Sequence, residues 1–311
     1  MRRHLTVPFL QNYKMGMKYA IKPNLLRMYI DQQFSGQPLK NLLAYYGQSD
    51  RAIYKLISQK QLLMNHAAVK DANVILEKGM EVSLIMPDEE VDFQPGDKEC
   101  RVIYEDDFIY VVHKEAGIII HDDASADALA NQAALYQLNH GIKAPVRYLH
   151  RLDKETRGLV IFVKIPFFKP YFDRLLQEKV INRHYLAITR GQGRLHQKFI
   201  FRDPIGKDRH VNNRYRISPT GKPAVTKAEI IAARDGLTLF SCTLETGRTH
   251  QIRVHLSSHG FPIVNDPLYG QPSGKIKGMG LWADRVSFPN PLTGELITVS
   301  DQPDPAYEYF R

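Results

Sequence analysis

His150-Arg151-Leu152-Asp153-Lys154-Glu155-Thr156-Arg157-Gly158-Leu159-Val160-Ile161-Phe162-Val163 is the stretch from which the fold can be read. Its first half is polar and charged; its second half, Leu159 to Val163, is a continuous apolar run that reads as a buried strand. Just beyond it, Phe167, Phe168, Tyr171, Phe172, Leu175 and Leu176 recur at helical spacing, an aromatic stripe expected in the core. Upstream, Arg101–Tyr104 and Phe108–Val112 flank an acidic turn at Glu105-Asp106-Asp107, the pattern of a hairpin. Downstream, further strands are expected near Tyr185–Thr189, Ala224–Ala232 and Leu237–Glu245. Runs of strands with occasional helices argue for an α+β domain rather than a doubly wound one.

A break precedes all of this. Pro87-Asp88-Glu89-Glu90 through Pro95-Gly96-Asp97 is acidic, holds prolines and a glycine, and lacks apolar periodicity, so it reads as a linker. Before it, Leu39, Leu42, Leu43 and Tyr46 mark a helix starting near Pro38, and Ser49 and Asp50 offer caps for a second helix carrying Ile53, Leu56 and Ile57. Leu62-Leu63-Met64-Asn65 reads as a strand entering a turn, Gly79 as another turn, and Val82, Leu84 and Met86 alternate as a strand. Two short helices and a hairpin resemble the alpha-L RNA-binding module first known from a small-subunit ribosomal protein, although only Arg51 and Lys55 stand for its basic helix. The expected divisions are a basic segment over 1–30, this small α/β module over 31–87, the linker over 88–98 and the main domain over 99–311.

Composition narrows the class. Hydrophobic residues are 43% and charged residues 24% of 311, enough for a sizeable core, and no run approaches the ~18 apolar residues of a membrane span. Arg2 and Arg3 are not followed by an apolar block, so no secretory signal is expected. Cys100 and Cys242 are two thiols without disulfide or metal spacing, which suits a cytoplasmic protein. The net charge of +9 suggests a polyanionic partner, nucleic acid first. Arg2, Arg3, Lys14, Lys18, Lys22 and Arg27 all precede the first acid, Asp31; such a segment either contacts phosphates or is a solvated tail.

Two segments carry chemistry. In His150–Leu159 a single carboxylate, Asp153, stands among basic and polar groups; alone, it reads as a turn residue. In Thr246-Gly247-Arg248-Thr249-His250-Gln251-Ile252-Arg253-Val254-His255-Leu256, Thr249 is expected to cap a helix with Ile252 and Leu256 inward and Arg253 on another face. Together the segments suggest a carboxylate and a guanidinium meeting in a cleft. His250 and His255 lie at a spacing that suits a metal, but no third ligand is evident and structural hydrogen bonding is expected instead.

The pair resembles the RluA-type family of RNA pseudouridine synthases. The first segment is similar to that family's His-Arg-Leu-Asp motif, and the second matches its Thr-Gly-Arg-Thr-His-Gln-Ile-Arg-Val-His motif. Arg183-His184-Tyr185-Leu186-Ala187, Gly221-Lys222-Pro223-Ala224 and Asn265-Asp266-Pro267-Leu268-Tyr269-Gly270 agree in order, and the likeness runs from about Arg101 to Pro303. The resemblance implies a mixed, largely antiparallel central sheet flanked by helices. It implies catalysis by Asp153, base stacking and proton transfer by Tyr185, and pairing of Arg253 with Asp153. Ile252 would line an apolar pocket, and Arg151 would fill the space left by an extruded uridine. His150, Thr156, Arg248 and His250 would complete the substrate-binding set, the two histidines mainly by fixing loops. The partner would be structured RNA, ribosomal or transfer; no metal, nucleotide or redox cofactor is called for, no membrane is implied, and a monomer is the default.

The chain departs from the family pattern at Arg157, where Ser is usual, at Glu115, where Pro is usual, and at Trp282, where His is usual. These departures bear on substrate choice. A binding factor without activity would keep the fold but not need Asp153, Tyr185 and Arg253 together. A hydrolase of glycosidic bonds would usually carry a second carboxylate across the bond. The sequence leaves open whether Asp153 attacks the base, attacks the sugar or assists an elimination.

Overall fold

The computed structural model describes residues 16–121, 127–301 and 305–310. The early basic residues Arg2, Arg3 and Lys14 lie outside them.

The N-terminal part is a five-stranded antiparallel sheet with two helices. Its elements are β1 (Lys18–Lys22), β2 (Leu25–Tyr29), α1 (Leu39–Tyr45), α2 (Asp50–Ser58), β3 (Leu62–Met64), β4 (Ala67–Ala68) and β5 (Glu81–Ile85), with sheet order β1-β2-β5-β3-β4. Ser49 caps α2 through its hydroxyl, which accepts from the Ala52 amide at 3.3 Å. Residues 18–29, expected as part of a separate basic segment, instead form β1 and β2 and belong to this sheet. Leu26 and Met28 alternate into the core while Arg27 points to its rim beside Glu81, so alternation rather than charge decides their place.

The second part follows the stretch 88–98, which forms no helix or strand. It is nonetheless docked: Asp92 pairs with Arg147 at 2.5 Å, Asp88 with Lys143 at 2.6 Å, and Val91 and Phe93 pack on the neighbouring core. Its elements are β6 (Arg101–Glu105), β7 (Ile109–Lys114), α3 (Leu129–Asn139), β8 (Arg157–Val163), α4 (Lys169–Gln177), β9 (Asn182–Arg190), β10 (Lys198–Phe201), β11 (Ile205–Lys207), β12 (Tyr215–Ile217), β13 (Thr226–Arg234), β14 (Leu237–Leu244), α5 (Gln251–Ser258), β15 (Leu281–Pro289) and β16 (Leu296–Ser300). A nine-stranded sheet runs β10-β13-β14-β9-β15-β8-β7-β6, with β16 added beside β15; only the β15–β8 pairing is parallel. This is the expected α+β class with a mixed, largely antiparallel sheet.

The parallel join between β8 and β15 is where the sequence quoted first decides the geometry. Gly158 has φ +120°, and a Cβ there would lie 2.2 Å from the Ala283 carbonyl oxygen, so no larger residue lets β8 approach β15. The loop carrying Asp153 is delivered at that join. Trp282, on the facing strand, is buried against Ile188, Val264 and the Tyr307 ring and fills a small core of its own.

The aromatic stripe is the seam between the two parts. Phe168, Tyr171 and Phe172 are buried, and the rings of Tyr45 and Tyr46 lie 5.1–5.7 Å from those of Phe168 and Tyr171. The buried Tyr46 hydroxyl donates to the Pro291 carbonyl at 3.2 Å, and Arg174 donates to the Tyr45 carbonyl at 2.5 Å. At Gly47, φ +77°, an added Cβ would come within 2.9 Å of the Pro170 Cβ. One apolar cluster runs unbroken from Leu42 and Val82 through Phe108 and Ile161 to Phe288.

Candidate active site

A cleft of about 1000 Å³ opens on one face of the large sheet, lined by residues from the 148–156 loop, β9 and the 244–253 segment. It brings together all the residues singled out from sequence: His150, Arg151, Asp153, Thr156, Tyr185, Arg248, His250, Ile252 and Arg253.

At its centre is a chain of charges. Arg253 is 3% exposed; its Nη1 donates to Asp153 Oδ2 at 3.2 Å, and its Nε and Nη2 donate to the two oxygens of Asp266 at 2.7 and 2.8 Å. The fork-shaped contact with Asp266 fixes the guanidinium in plane and leaves one edge for Asp153. Burial works against the arginine's charge, but the hydrogen bonds and charge of Asp266, then those of Asp153, outweigh it and raise its pKa. Asp266 is fully buried and also accepts from the Leu268 and Tyr269 amides. Tyr269 lays its ring under Arg253, 5.1 Å to the centroid.

Asp266 carries no mark of this role in the sequence, although it lies within the phrase Asn265–Gly270. Thr249 does not cap α5; the cap position is His250, in the left-handed conformation at φ 57° with no side-chain cap bond. Instead the Gln251 side-chain oxygen accepts from the Arg248 amide at 3.0 Å and the Thr246 hydroxyl at 2.7 Å, holding the turn before the helix. The left-handed turn aims His250 at Asp153, 3.9 Å away, while its Nδ1 bonds the Tyr269 hydroxyl at 2.9 Å. Burial lowers the pKa of His250, against the opposing pull of Asp153. His255 is fully engaged elsewhere, by Thr226 and the Asp203 carbonyl, and so serves the structure.

A second missed residue is Lys114, at the end of β7. It is completely buried and donates to the carbonyls of Glu115, Ile118 and Lys154 at 2.9, 2.7 and 2.9 Å. The last of these lies next to Asp153, so the lysine ties down the loop from behind. Burial pulls its pKa down to about 8, with Asp153, Glu155 and Glu115 opposing. Of the departures from the expected pattern, Glu115 approaches His113 at 3.5 Å and Arg157 donates to the Lys277 carbonyl at 3.2 Å.

Tyr185 stands on β9, 4% exposed, its hydroxyl pKa raised by burial, with Arg183 opposing and Asp153 adding. Ile252, 4% exposed, supplies apolar wall. Arg151 is exposed at the mouth, and Arg248 is held by a bond from its Nε to the Pro223 carbonyl at 2.9 Å. A basic hairpin, β11–β12, adjoins the cleft through Tyr215, with Lys207, Arg209 and Arg216 exposed.

The cleft thus sets a carboxylate held by a fixed arginine beside a buried tyrosine, within a rim of cations. The family model described as RNA pseudouridylate synthase matches residues 108–258. The uncharacterized RNA pseudouridine synthase YhcT of Bacillus subtilis is 36% identical over 287 residues, covering 90% of this chain and 94% of that protein. The ribosomal large subunit pseudouridine synthase D of Nitrosomonas europaea is 34% identical over 214 residues, 63% of this chain and 60% of its own. Among solved structures, human RNA pseudouridylate synthase domain containing 1 superposes with a TM-score of 0.56 at 25% identity, covering 68% of this chain and 87% of its own. The chain belongs to the RNA pseudouridine synthases. Within them it is of the RluA type, an isomerase that turns uridine in RNA into pseudouridine.

Proposed function

We propose that this enzyme isomerises chosen uridines in structured RNA, ribosomal RNA ahead of transfer RNA, with Asp153 as its essential carboxylate. The observation that carries the reading is the Asp266–Arg253–Asp153 chain, which presents one carboxylate oxygen to the cleft in a fixed position. A base stacked within folded RNA is out of reach, so the uridine turns out into the cleft. Tyr185 and Ile252 give it flat apolar surfaces, and Arg151 at the mouth takes the vacated place in the RNA. Asp153 then adds to the substrate or takes a proton from it, and the Tyr185 hydroxyl, kept protonated by burial, serves proton transfer. His150, Thr156, Arg248 and His250 frame the base and the two loops.

Relatives named as ribosomal large subunit enzymes support ribosomal RNA as the substrate class. The exposed cations of the β11–β12 hairpin supply phosphate contacts that need no sequence. The test is release of tritium from uridine labelled at C5, in ribosomal and in transfer RNA transcripts. Wild type is expected to release tritium chiefly from ribosomal RNA. Asp153→Asn is expected to release none while keeping RNA affinity within a few fold, and Tyr185→Phe to bind but not turn over. Full turnover by Asp153→Asn sinks the assignment; release from transfer RNA alone overturns the substrate class.

A further inference from the structure

Arg183 sits two residues before Tyr185, and on a strand that spacing puts both side chains on the same face. It is 9% exposed and lines the cleft. Its guanidinium lies flat against Gly247, where an added Cβ would be 3.3 Å from Nη1, so the glycine of the second motif makes room for it. Among the described residues no carboxylate pairs with this charge. The acids lining the cleft, among the described residues, are Asp153 and Glu245. Arg253 holds Asp153, and Lys179 and Lys227 hold Glu245 at 3.1 and 2.6 Å. Among the described residues the Arg183 Nε has no hydrogen-bond partner.

Two neighbours share that condition. Among the described residues, His150 is 6% exposed and has only the Arg151 backbone near its ring, with neither nitrogen in a well-formed hydrogen bond, and Thr156 is 2% exposed with its hydroxyl unbonded. Both line the same cleft. Buried polar atoms are nearly always partnered, so unpartnered atoms on three side chains lining one cleft mark the outline of a polar ligand. We infer that Arg183, with His150 and Thr156, receives the uracil after it parts from the sugar and carries the negative charge it then bears.

The inference rests on the function proposed above. When the bond between sugar C1′ and base N1 breaks, its electron pair leaves with the base and is shared by N1, O2 and O4. After the base turns, C5 gives an electron pair to the electron-poor C1′, the proton on C5 leaves to a basic group or to water, and N1 takes up a proton, so the base ends neutral. Through that interval the base is an anion, and a guanidinium held beside it in a buried setting is worth more than one in solution. The neighbours distinguish this anion from a backbone phosphate. Burial, with Arg183 adding to it, lowers the pKa of His150 to about 3, so its ring is neutral, with one nitrogen that donates and one that accepts. A phosphodiester has no proton to give that accepting nitrogen. Uracil has one, at N3, beside two carbonyl oxygens that accept hydrogen bonds from Arg183 and Thr156.

The experiment compares wild type, Arg183→Met and Arg183→Lys on labelled ribosomal RNA. Single-turnover rate at saturating enzyme, RNA affinity at two salt concentrations and thermal unfolding are measured for each. Arg183→Met is expected to lose about 10²–10³ in rate, the usual effect of removing one fixed donor from a developing anion. Its affinity stays within threefold, its salt dependence is unchanged, and its unfolding temperature is equal or higher because an unpaired buried charge is gone. Arg183→Lys regains part of the rate. Weaker binding with a salt slope reduced by about one and an unchanged rate would make Arg183 a phosphate contact and overturn the inference; so would two variants as fast as wild type. Wild type without turnover on any RNA defeats the underlying function, a result distinct from either.

Discussion

Replacing Asp266 by asparagine changes one oxygen for one nitrogen at the most enclosed point of the site. The carboxylate is fully buried and takes two hydrogen bonds from Arg253 at 2.7 and 2.8 Å. An asparagine oxygen still accepts from the Leu268 and Tyr269 amides, so the turn survives. Its amide nitrogen, however, then faces an arginine N–H, donor against donor. Breaking a buried ion pair from one side costs ~3–5 kcal/mol, because the other charge stays behind uncompensated. Arg253 keeps Asp153 at 3.2 Å, a partner 24% exposed, so the loss belongs at the lower end, about 3 kcal/mol. At ~2–4 °C per kcal/mol for a domain of this size, unfolding should come about 6–12 °C earlier. Turnover should fall at least tenfold, since Asp153 loses its fixed neighbour. Differential scanning calorimetry and tritium release measure the two effects. The double variant Arg253→Met/Asp266→Asn should recover most of the stability and none of the activity, because the uncompensated charge is gone while the asparagine oxygen still accepts from the Leu268 and Tyr269 amides. An Asp266→Asn protein that melts within 1 °C of wild type at full rate would refute the reasoning.

Other outcomes are equally definite. His150 refuses a proton in the native state down to about pH 3, whereas the unfolded chain accepts one near 6.5, so stability should fall as pH drops through that window, by about 2 kcal/mol at pH 5. His150→Gln should show a shallower acid slope in chemical denaturation; equal slopes contradict the buried neutral ring. Gly47→Ala forces a Cβ toward Pro170 at positive φ and should cost about 1–3 kcal/mol, seen as earlier unfolding and faster proteolysis within 88–98. Ser241, His184 and Asp284 make hydrogen bonds of 2.7 and 2.5 Å in the order of a hydrolase triad. Ser241 lies mid-strand between Glu229 and Leu186, where its amide belongs to the ladder and cannot serve an oxyanion. Fluorophosphonate should leave it unlabelled, and Ser241→Ala should keep full rate.

The parts of the fold legible in sequence were those written in local pattern. The hairpin of β6 and β7, the buried run of β8 and the stripe of α4 each declare themselves by period and composition. Asp153 and Arg253 were legible as chemistry only as members of two phrases set 100 residues apart. What stayed hidden were pairings made by tertiary approach. Asp266 and Lys114 carry no local mark of the groups they hold, because Arg253 reaches one through a turn and the Lys154 carbonyl reaches the other across a loop. The cap of α5 went astray because Thr249 suits a standard helix start, whereas Gln251 closes the turn and lets His250 go left-handed. Charge misled at both ends of the N-terminal part: lysines hid the alternation of β1 and β2, and acids made the docked stretch 88–98 look free.

That docked stretch has a consequence for how the protein can change over time. Because Tyr46, Phe168 and Tyr171 fix the two parts against each other, the distance from α2 to the cleft is set by side-chain contact, not by the number of residues in the connection. Lengthening the connection by several residues would leave the spacing as it is, while a single enlarged side chain at Gly47 would alter it. The molecule is therefore a gauge of fixed span, and any RNA that touches both ends must match that span when it yields its uridine.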